Sequence, residues 1–302
     1  MALAYHILAH KQPAQVARLV RALYHPDDVF VVHLDRSASR ELHAMGIELQ
    51  RAYPGQVHLQ PPRAVLWGGP EIFNLQIEAM DIALRQSRPW HHFINLSGQD
   101  FPLGTRSRRL ATLGPSEGTS FLTWFSPMET DHWKDARQRV ELWYFHSVWI
   151  NRGLAVPGIG RRVRSLLGWK NRLPYLYLYR RRRPKSFHYF GGSNHVVLAR
   201  AACEYLAQDP QAKIIRKWLQ HAGIGDEIVF QSILKSSPLA ATLVNKNWRE
   251  IDFEPPLPHP RVFRSSDFDR LASSENLFAR KFDESVDASI LDLLERRIQN
   301  GP

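Results

Sequence analysis

Val29-Phe-Val-Val-His-Leu34 is an almost wholly apolar run, rich in valine and closed at once by the polar pair Asp35-Arg36. A short run bounded in this way reads as a strand buried on both faces, the kind that fills a parallel sheet. Residues 3–9 repeat the pattern upstream, and residues 13–24 between the two read as a helix with Pro13 near its first turn. Downstream, helical periodicity covers 38–52, and Val57-His-Leu59 reads as a short strand. A helix follows from about Pro70 to Gln86, with Ile72, Leu75, Ile77, Met80 and Leu84 on its apolar face. His92-Phe-Ile-Asn-Leu96 is a further strand. This alternation predicts an α/β fold, a mostly parallel central sheet with helices on both faces. Ligands of such sheets bind beyond the carboxyl ends of the strands. That points to Asp35, Trp67 and Ser97-Gly-Gln-Asp100.

The later chain is less regular. Residues 120–190 are aromatic and basic, and Phe187-His-Tyr-Phe190-Gly-Gly-Ser-Asn194 leads into a strand at 195–198 and a helix at about 200–207. Residues 225–235 read as one helix carrying Asp226 and Glu227 at its start, and a last amphipathic helix spans about 285–298. With 302 residues the chain fits one large domain or two small ones.

Cys203 is the single cysteine, so no intramolecular disulfide is possible, and a reducing, cytoplasmic setting is expected. Its apolar surroundings make it a buried structural residue. The apolar start of the chain is too short to span a bilayer and lacks a basic leader, so it reads as the first strand. The net charge is +11, with arginines crowded between Arg161 and Arg183. Such a surface attracts nucleic acid, anionic lipid or a phosphate-bearing substrate.

Several chemistries find no motif. There is no dinucleotide fingerprint, no phosphate loop and no nucleophile elbow. Adjacent His91 and His92 near a strand start point to opposite faces and cannot share a metal. Asp267-Phe-Asp269 has the form of a metal-holding pair, yet it opens a late helix, where aspartate is favoured as a cap.

Four segments stand out together: His33-Leu-Asp-Arg36; Phe93-Ile-Asn-Leu-Ser-Gly-Gln-Asp-Phe-Pro102; Gly191-Gly-Ser193 with Gly225-Asp-Glu227; and Asn276-Leu-Phe-Ala-Arg-Lys-Phe-Asp283. In order and separation they resemble the core-2/I-branching β-1,6-N-acetylglucosaminyltransferases and the related protein O-xylosyltransferases, over about residues 3–290. The resemblance implies a GT-A type fold and inverting transfer of N-acetylglucosamine or xylose from a UDP-sugar, forming a β-glycosidic bond. It makes Glu227 the catalytic base and Lys281 a diphosphate ligand, with Arg261 or Arg264 as a second. Asp35 falls in the nucleotide pocket, with Leu8 and His10 as strand-end neighbours. Phe253 and Arg249 match the acceptor side, and Ser193 and Asp100 lie in the matched segments as further substrate-binding candidates. Glu129 and Arg139 are weaker acceptor candidates. The resemblance also implies one catalytic domain over 1–302, with a nucleotide-binding part at about 1–120 and an acceptor and catalytic part at about 121–302.

The chemistry fits these residue types. One carboxylate suffices to take the acceptor proton, and a lysine with an arginine stabilises the departing diphosphate. No metal or other cofactor is then expected. Animal members carry a membrane anchor and disulfides; this sequence shows neither, the pattern expected of a bacterial, cytoplasmic member. Its acceptor would be a carbohydrate or a lipid-linked oligosaccharide. The basic, aromatic stretch 160–185 fits a peripheral contact with an anionic membrane at its inner face. The competing reading, a nucleic-acid-binding protein built on that stretch, is disfavoured because the rest of the chain has a small-ligand architecture.

Overall fold

The computed structural model describes residues 1–127, 133, 136–144, 175–184, 187–253 and 259–301. Its first part runs β1 (Leu3–Ala9), α1 (Pro13–Leu23), β2 (Val29–Leu34), α2 (Arg40–Ala52), β3 (Val57–Leu59), α3 (Glu71–Leu84) and β4 (His92–Ser97). Then come β5 (Asp100–Pro102), α4 (Arg106–Leu113), β6 (Ser120–Leu122), α5 (Ala136–Glu141), β7 (Leu142–Tyr144) and β8 (Tyr175–Arg180). The last part holds β9 (Val196–Ala199), α6 (Arg200–Gln208), α7 (Pro210–Leu219), α8 (Val229–Lys235), β10 (Leu243–Val244) and β11 (Arg249–Ile251). It ends with α9 (Phe268–Ser273), β12 (Phe278–Arg280) and α10 (Ser289–Asn300).

The central sheet has the order β10-β6-β9-β4-β1-β2-β3. Every neighbouring pair is parallel except those of β9, which runs antiparallel to both β4 and β6. The expected mostly parallel α/β sheet is therefore present, with one reversed strand that strand-and-helix alternation does not foretell.

Strand alternation divides the core in two. Leu3, Tyr5 and Ile7 of β1 pack with Val16, Leu19, Val20 and Leu23 of α1 on one face. Ala4 of β1 and Val29 and Val31 of β2 pack with Phe73, Ile77 and Met80 of α3 and Ala202, Cys203 and Leu206 of α6 on the other. Both faces are thus covered, which is why these strands read as continuous apolar runs. Cys203 is fully buried and free, as expected, and burial raises its thiol pKa well above the ordinary value.

Local chemistry sets the helix starts. Ser39, Thr105 and Asp209 cap α2, α4 and α7 by accepting backbone N–H bonds, and Pro13 and Pro210 occupy the first turns of α1 and α7.

Four features differ from or add to the sequence reading. The expected helix over 225–235 is broken: Gly225–Glu227 form a separate 3₁₀ turn, entered through Ile224 at φ 55°, and α8 begins only at Val229. A second, small sheet, β11-β12-β5, forms beyond the end of β4. β7 pairs antiparallel with β8, and α7 fills a stretch to which the sequence reading assigns nothing. Most of the basic stretch 160–185, and Glu129, lie outside the described residues. Among the described residues no helix is long and apolar enough to cross a membrane.

Candidate active site

Three strands end at one edge. β1 runs into His10 and Lys11, β2 into Asp35, and β4 through the turn Gly98-Gln99 into β5. The small sheet lays β12 antiparallel to β5, so Arg280 pairs with Asp100. Sequence positions far apart are thereby gathered where α/β sheets bind ligands.

Cations dominate this edge. Arg280 donates to Asp100 Oδ1 at 3.0 Å and also to Ser97 Oγ. Lys281 follows it, partly exposed, its pKa lowered by burial first and then by the nearby charges of Arg280 and Lys11. Lys11 is bound to Asp283 at 2.8 Å. His10 lies within the field of Lys11, Asp35, Arg280 and Lys281. Leu8 sits just behind in β1 and accepts from the Gly98 amide at 2.8 Å through its carbonyl.

The acidic residues at this edge hold it in shape. Asp35 accepts from the Ser37 amide at 2.7 Å, the Ser37 hydroxyl at 2.6 Å and the Val65 amide at 2.8 Å. Burial pushes its carboxyl up, but these hydrogen bonds outweigh that and leave it below the ordinary range. Asp100 is fully buried, and burial likewise opposes ionisation. Arg280, His195 and Arg249 reverse that effect and keep its pKa low. Asp100 therefore lies beneath the surface as the anchor of Arg280. His195, 4.0 Å from Asp100, is held to about 3 by burial and stays neutral.

The second carboxylate group sits on the 3₁₀ turn. Glu227 is raised to about 7 by burial first, then by the negative charge of Asp226, with Arg139 opposing. Asp226, more deeply buried, is raised to about 6 by burial, against the hydrogen bond from Asn194. The Glu227 carbonyl accepts from the Gly192 amide at 2.9 Å, so the Gly191-Gly192 turn seats the acid. A Cβ on Gly192 would stand 1.9 Å from the Thr123 carbonyl oxygen, a separation only glycine avoids. Gly192→Ala is accordingly expected to cost about 1–3 kcal/mol of stability, visible as a lower thermal midpoint; an unchanged midpoint would show that the turn relaxes freely.

Ser193 is spent on the same turn: its hydroxyl accepts from the His195 amide at 3.1 Å and its carbonyl from Gln231 at 2.6 Å. A hydrogen-bond chain joins the two clusters. Arg249 donates to the Asn95 carbonyl at 2.7 Å, Asn95 to the Asn194 carbonyl at 2.8 Å, and Asn194 to Asp226 at 3.0 Å. Arg249 itself is buried and stacks on Phe278 at 4.5 Å, a position that supports the edge from below.

Other sequence candidates fall elsewhere. Arg261 grips Asp267 through two bonds of 2.8 and 2.9 Å and also Asp252 at 2.8 Å. Asp267 is therefore engaged in an ion-pair network that Arg270 joins through Asp252. Arg264 is exposed at the start of the following 3₁₀ turn. Phe253 is 61% exposed and Trp67 68%, leaving two aromatic faces open to solvent. Trp67 precedes Gly68, whose carbonyl accepts from Ile224 at 3.1 Å, next to the turn that carries Glu227. Among the described residues no group of three or more His, Cys, Asp or Glu side chains is placed to hold a metal.

Sequence reading singled out Lys281 and Glu227 but not Arg280, Lys11, Asp226 or Asn194. Arg280 lies inside the quoted Asn276–Asp283 segment, and the signal for it was its place next to Lys281. Lys11 carried only its position after β1, and Asn194 carried none.

The family profile described as Core-2/I-Branching enzyme matches residues 3–274. Xylosyltransferase 2 of Canis lupus familiaris is 27% identical, over 97% of this chain and 33% of its own length. Xylosyltransferase 1 of the same species is 24% identical, over 97% of this chain and 30% of its own. The chain thus spans about a third of the length of these relatives. A solved chain titled "WbbM bifunctional glycosytransferase apo structure" superposes over 99% of this chain and 50% of that one, with a TM-score of 0.40 and 9% identity. Matched by the profile from β1 to the end of α9, the chain belongs to the Core-2/I-branching enzyme family, a family of glycosyltransferases.

Proposed function

We propose that this protein transfers N-acetylglucosamine or xylose from a UDP-sugar to an acceptor hydroxyl with inversion at the anomeric carbon, giving a β-glycoside. The observation that carries this reading is the pairing at one sheet edge of a carboxylate poised near neutrality with a cluster of cations. Glu227 takes the proton of the acceptor hydroxyl as its oxygen attacks the anomeric carbon. Lys281, with Lys11 and Arg280 beside it, meets the charge that collects on the departing UDP. Arg264 is the further diphosphate candidate, since Arg261 is committed to Asp267 and Asp252, and Asp35, Leu8 and His10 border the nucleotide. Ser193 and Arg249 hold the floor between donor and base, and Phe253 offers a face to the acceptor. Residues 1–302 act as one catalytic domain, donor-binding at about 1–120 and acceptor-binding and catalytic beyond. The continuous central sheet supports this, since β6, β9 and β10 of the second part extend it from β4. Incubation with a panel of UDP-sugars tests the donor, and the anomeric configuration of the product tests inversion. Hydrolysis or transfer of neither UDP-N-acetylglucosamine nor UDP-xylose would refute the donor assignment.

The pH dependence follows from the acid pair. Glu227 must be ionised to act, so kcat/KM should fall as pH drops through about 7. Asp226→Asn removes a neighbouring negative charge that raises the Glu227 pKa, and the acid limb should move to lower pH. A limb that stays in place would separate Asp226 from the base.

Diphosphate binding by side chains predicts metal independence: activity should persist in excess EDTA. Loss on chelation with recovery on Mn²⁺ would return Asp267 and Asp269 as ligands and displace Lys281 from this role. The basic stretch 160–185 extends the proposal to a protein that docks on an anionic membrane surface from the cytoplasm to reach a lipid-linked acceptor. Salt-sensitive sedimentation with anionic liposomes tests it, and equal pelleting by a variant with Arg180 to Arg183 changed to serine would exclude it.

A further inference from the structure

A cavity of about 470 Å³ opens at the other end of the sheet, lined by α1, α4 and α10. Its place is fixed by Arg106, which donates to the Met1 carbonyl and to both oxygens of Asp28, the residues before β1 and β2. The cavity therefore faces away from the catalytic edge. Its polar wall carries Arg18, Arg21, Arg106 and Arg109 against one carboxylate, Glu295, while Tyr24 and Ile298 supply an apolar side.

The charges are unevenly matched. Arg18 is held by Asp292 and Glu295, and Arg106 by Asp28. Arg21, exposed on α1, has no such partner among the described residues. Arg109 is the telling residue: it is 1% exposed, and its Nη1 donates to the Gly104 carbonyl at 2.8 Å. The Tyr5 phenol and the buried Asp28 lie nearby, but among the described residues no carboxylate forms an ion pair with Arg109, and its Nε meets no acceptor. A buried guanidinium that no carboxylate grips is costly, and an anion bound beside it would offset that cost. Arginine forks suit the planar or tetrahedral oxygens of phosphate.

We propose that this cavity is a binding site for a small phosphorylated anion, separate from the donor site, with Arg109 and Arg21 as its free cations. Its occupant sits across α1, α4 and α10 and places negative charge beside Arg109 and Arg21. The volume exceeds one phosphate group, and the Tyr24 and Ile298 side leaves room for an organic part of the ligand.

Inorganic pyrophosphate is the probe, titrated against thermal unfolding at constant ionic strength. Lys281→Ala serves as the background, so that the donor edge contributes least. Concentration-dependent stabilisation is expected there, and adding Arg21→Glu should weaken the apparent affinity by roughly tenfold or more. Arg21 is exposed, so this change leaves folding intact; Arg109→Met should act in the same direction. No stabilisation in the Lys281→Ala background, or equal affinity with and without Arg21→Glu, overturns the site. Neither result bears on Glu227 or on the donor sugar, so failure here is distinct from failure of the transferase reading.

Discussion

Glu227→Gln should lower kcat by about 10²–10⁴-fold, the usual worth of a positioned general base, while UDP still binds. The amide keeps the shape of the side chain and the backbone bond from Gly192, so the turn should survive. What it loses is the ability to accept the acceptor proton. A kcat within tenfold of the parent would remove Glu227 from the mechanism.

The same variant has a second, opposite signature. Glu227 and Asp226 both have folded pKa values above those of the free side chains, so the folded state holds their protons more tightly. Their favourable contribution is complete at low pH, below the unfolded values, and is lost as pH rises through about 6 and 7. Above that range the protein carries two desolvated charges side by side. Glu227→Gln should therefore unfold at an equal or higher temperature than the parent at pH 8. A clear drop there would mean that the ionised carboxylate has a partner that stabilises it.

Lys281→Ala is the second large effect. Loss of one preorganised contact to developing charge costs about 10²–10³ in kcat. The neighbouring Arg280 is fixed by Asp100 and Ser97 and cannot swing over to replace it. Arg261→Ala makes the contrast. Its guanidinium is committed to Asp267 and Asp252, so its loss should lower thermal stability and leave kcat close to the parent value. If the two variants exchange these behaviours, the diphosphate lies against the Arg261 network rather than against β12.

The residues that stabilise the fold and those that act are distributed unevenly along the chain, and this governs what could be read from it. The apolar runs at 3–9, 29–34 and 92–96 and the periodic face of α3 were legible because burial on both sides of a sheet leaves a one-dimensional trace. Pro13 marked a helix start, and the isolation of Cys203 matched its place in the core. Glu227 and Lys281 stood out through the segments that carry them, whereas Asp226 and Arg280 beside them did not. The strong resemblance in the four quoted segments identified the family that residues 3–274 match.

Other features depended on contacts between distant parts. The reversal of β9 depends on which edge of β4 remains open, and no local pattern encodes that. The break at Ile228 accompanies the bonds of Asp226 to Asn194 and of Glu227 to Gly192, tertiary contacts that override a helical propensity in the sequence. Lys11 joins the cations at the sheet edge only because Asp283 is brought to within 2.8 Å across the fold. Arg261, Arg264 and the Asp267-Phe-Asp269 pair were indistinguishable in one dimension; the ion pairs to Asp252 and Asp267 separated them. The parallel strands at 3–9, 29–34 and 92–96, the core they build and the chemical types at the sheet edge were readable along the chain, since hydrophobic periodicity and motif chemistry are local. Which carboxylate is desolvated toward neutrality, which arginine is tied down and which is left unpaired were decided only by tertiary structure, because charge and solvation act through space rather than along the chain.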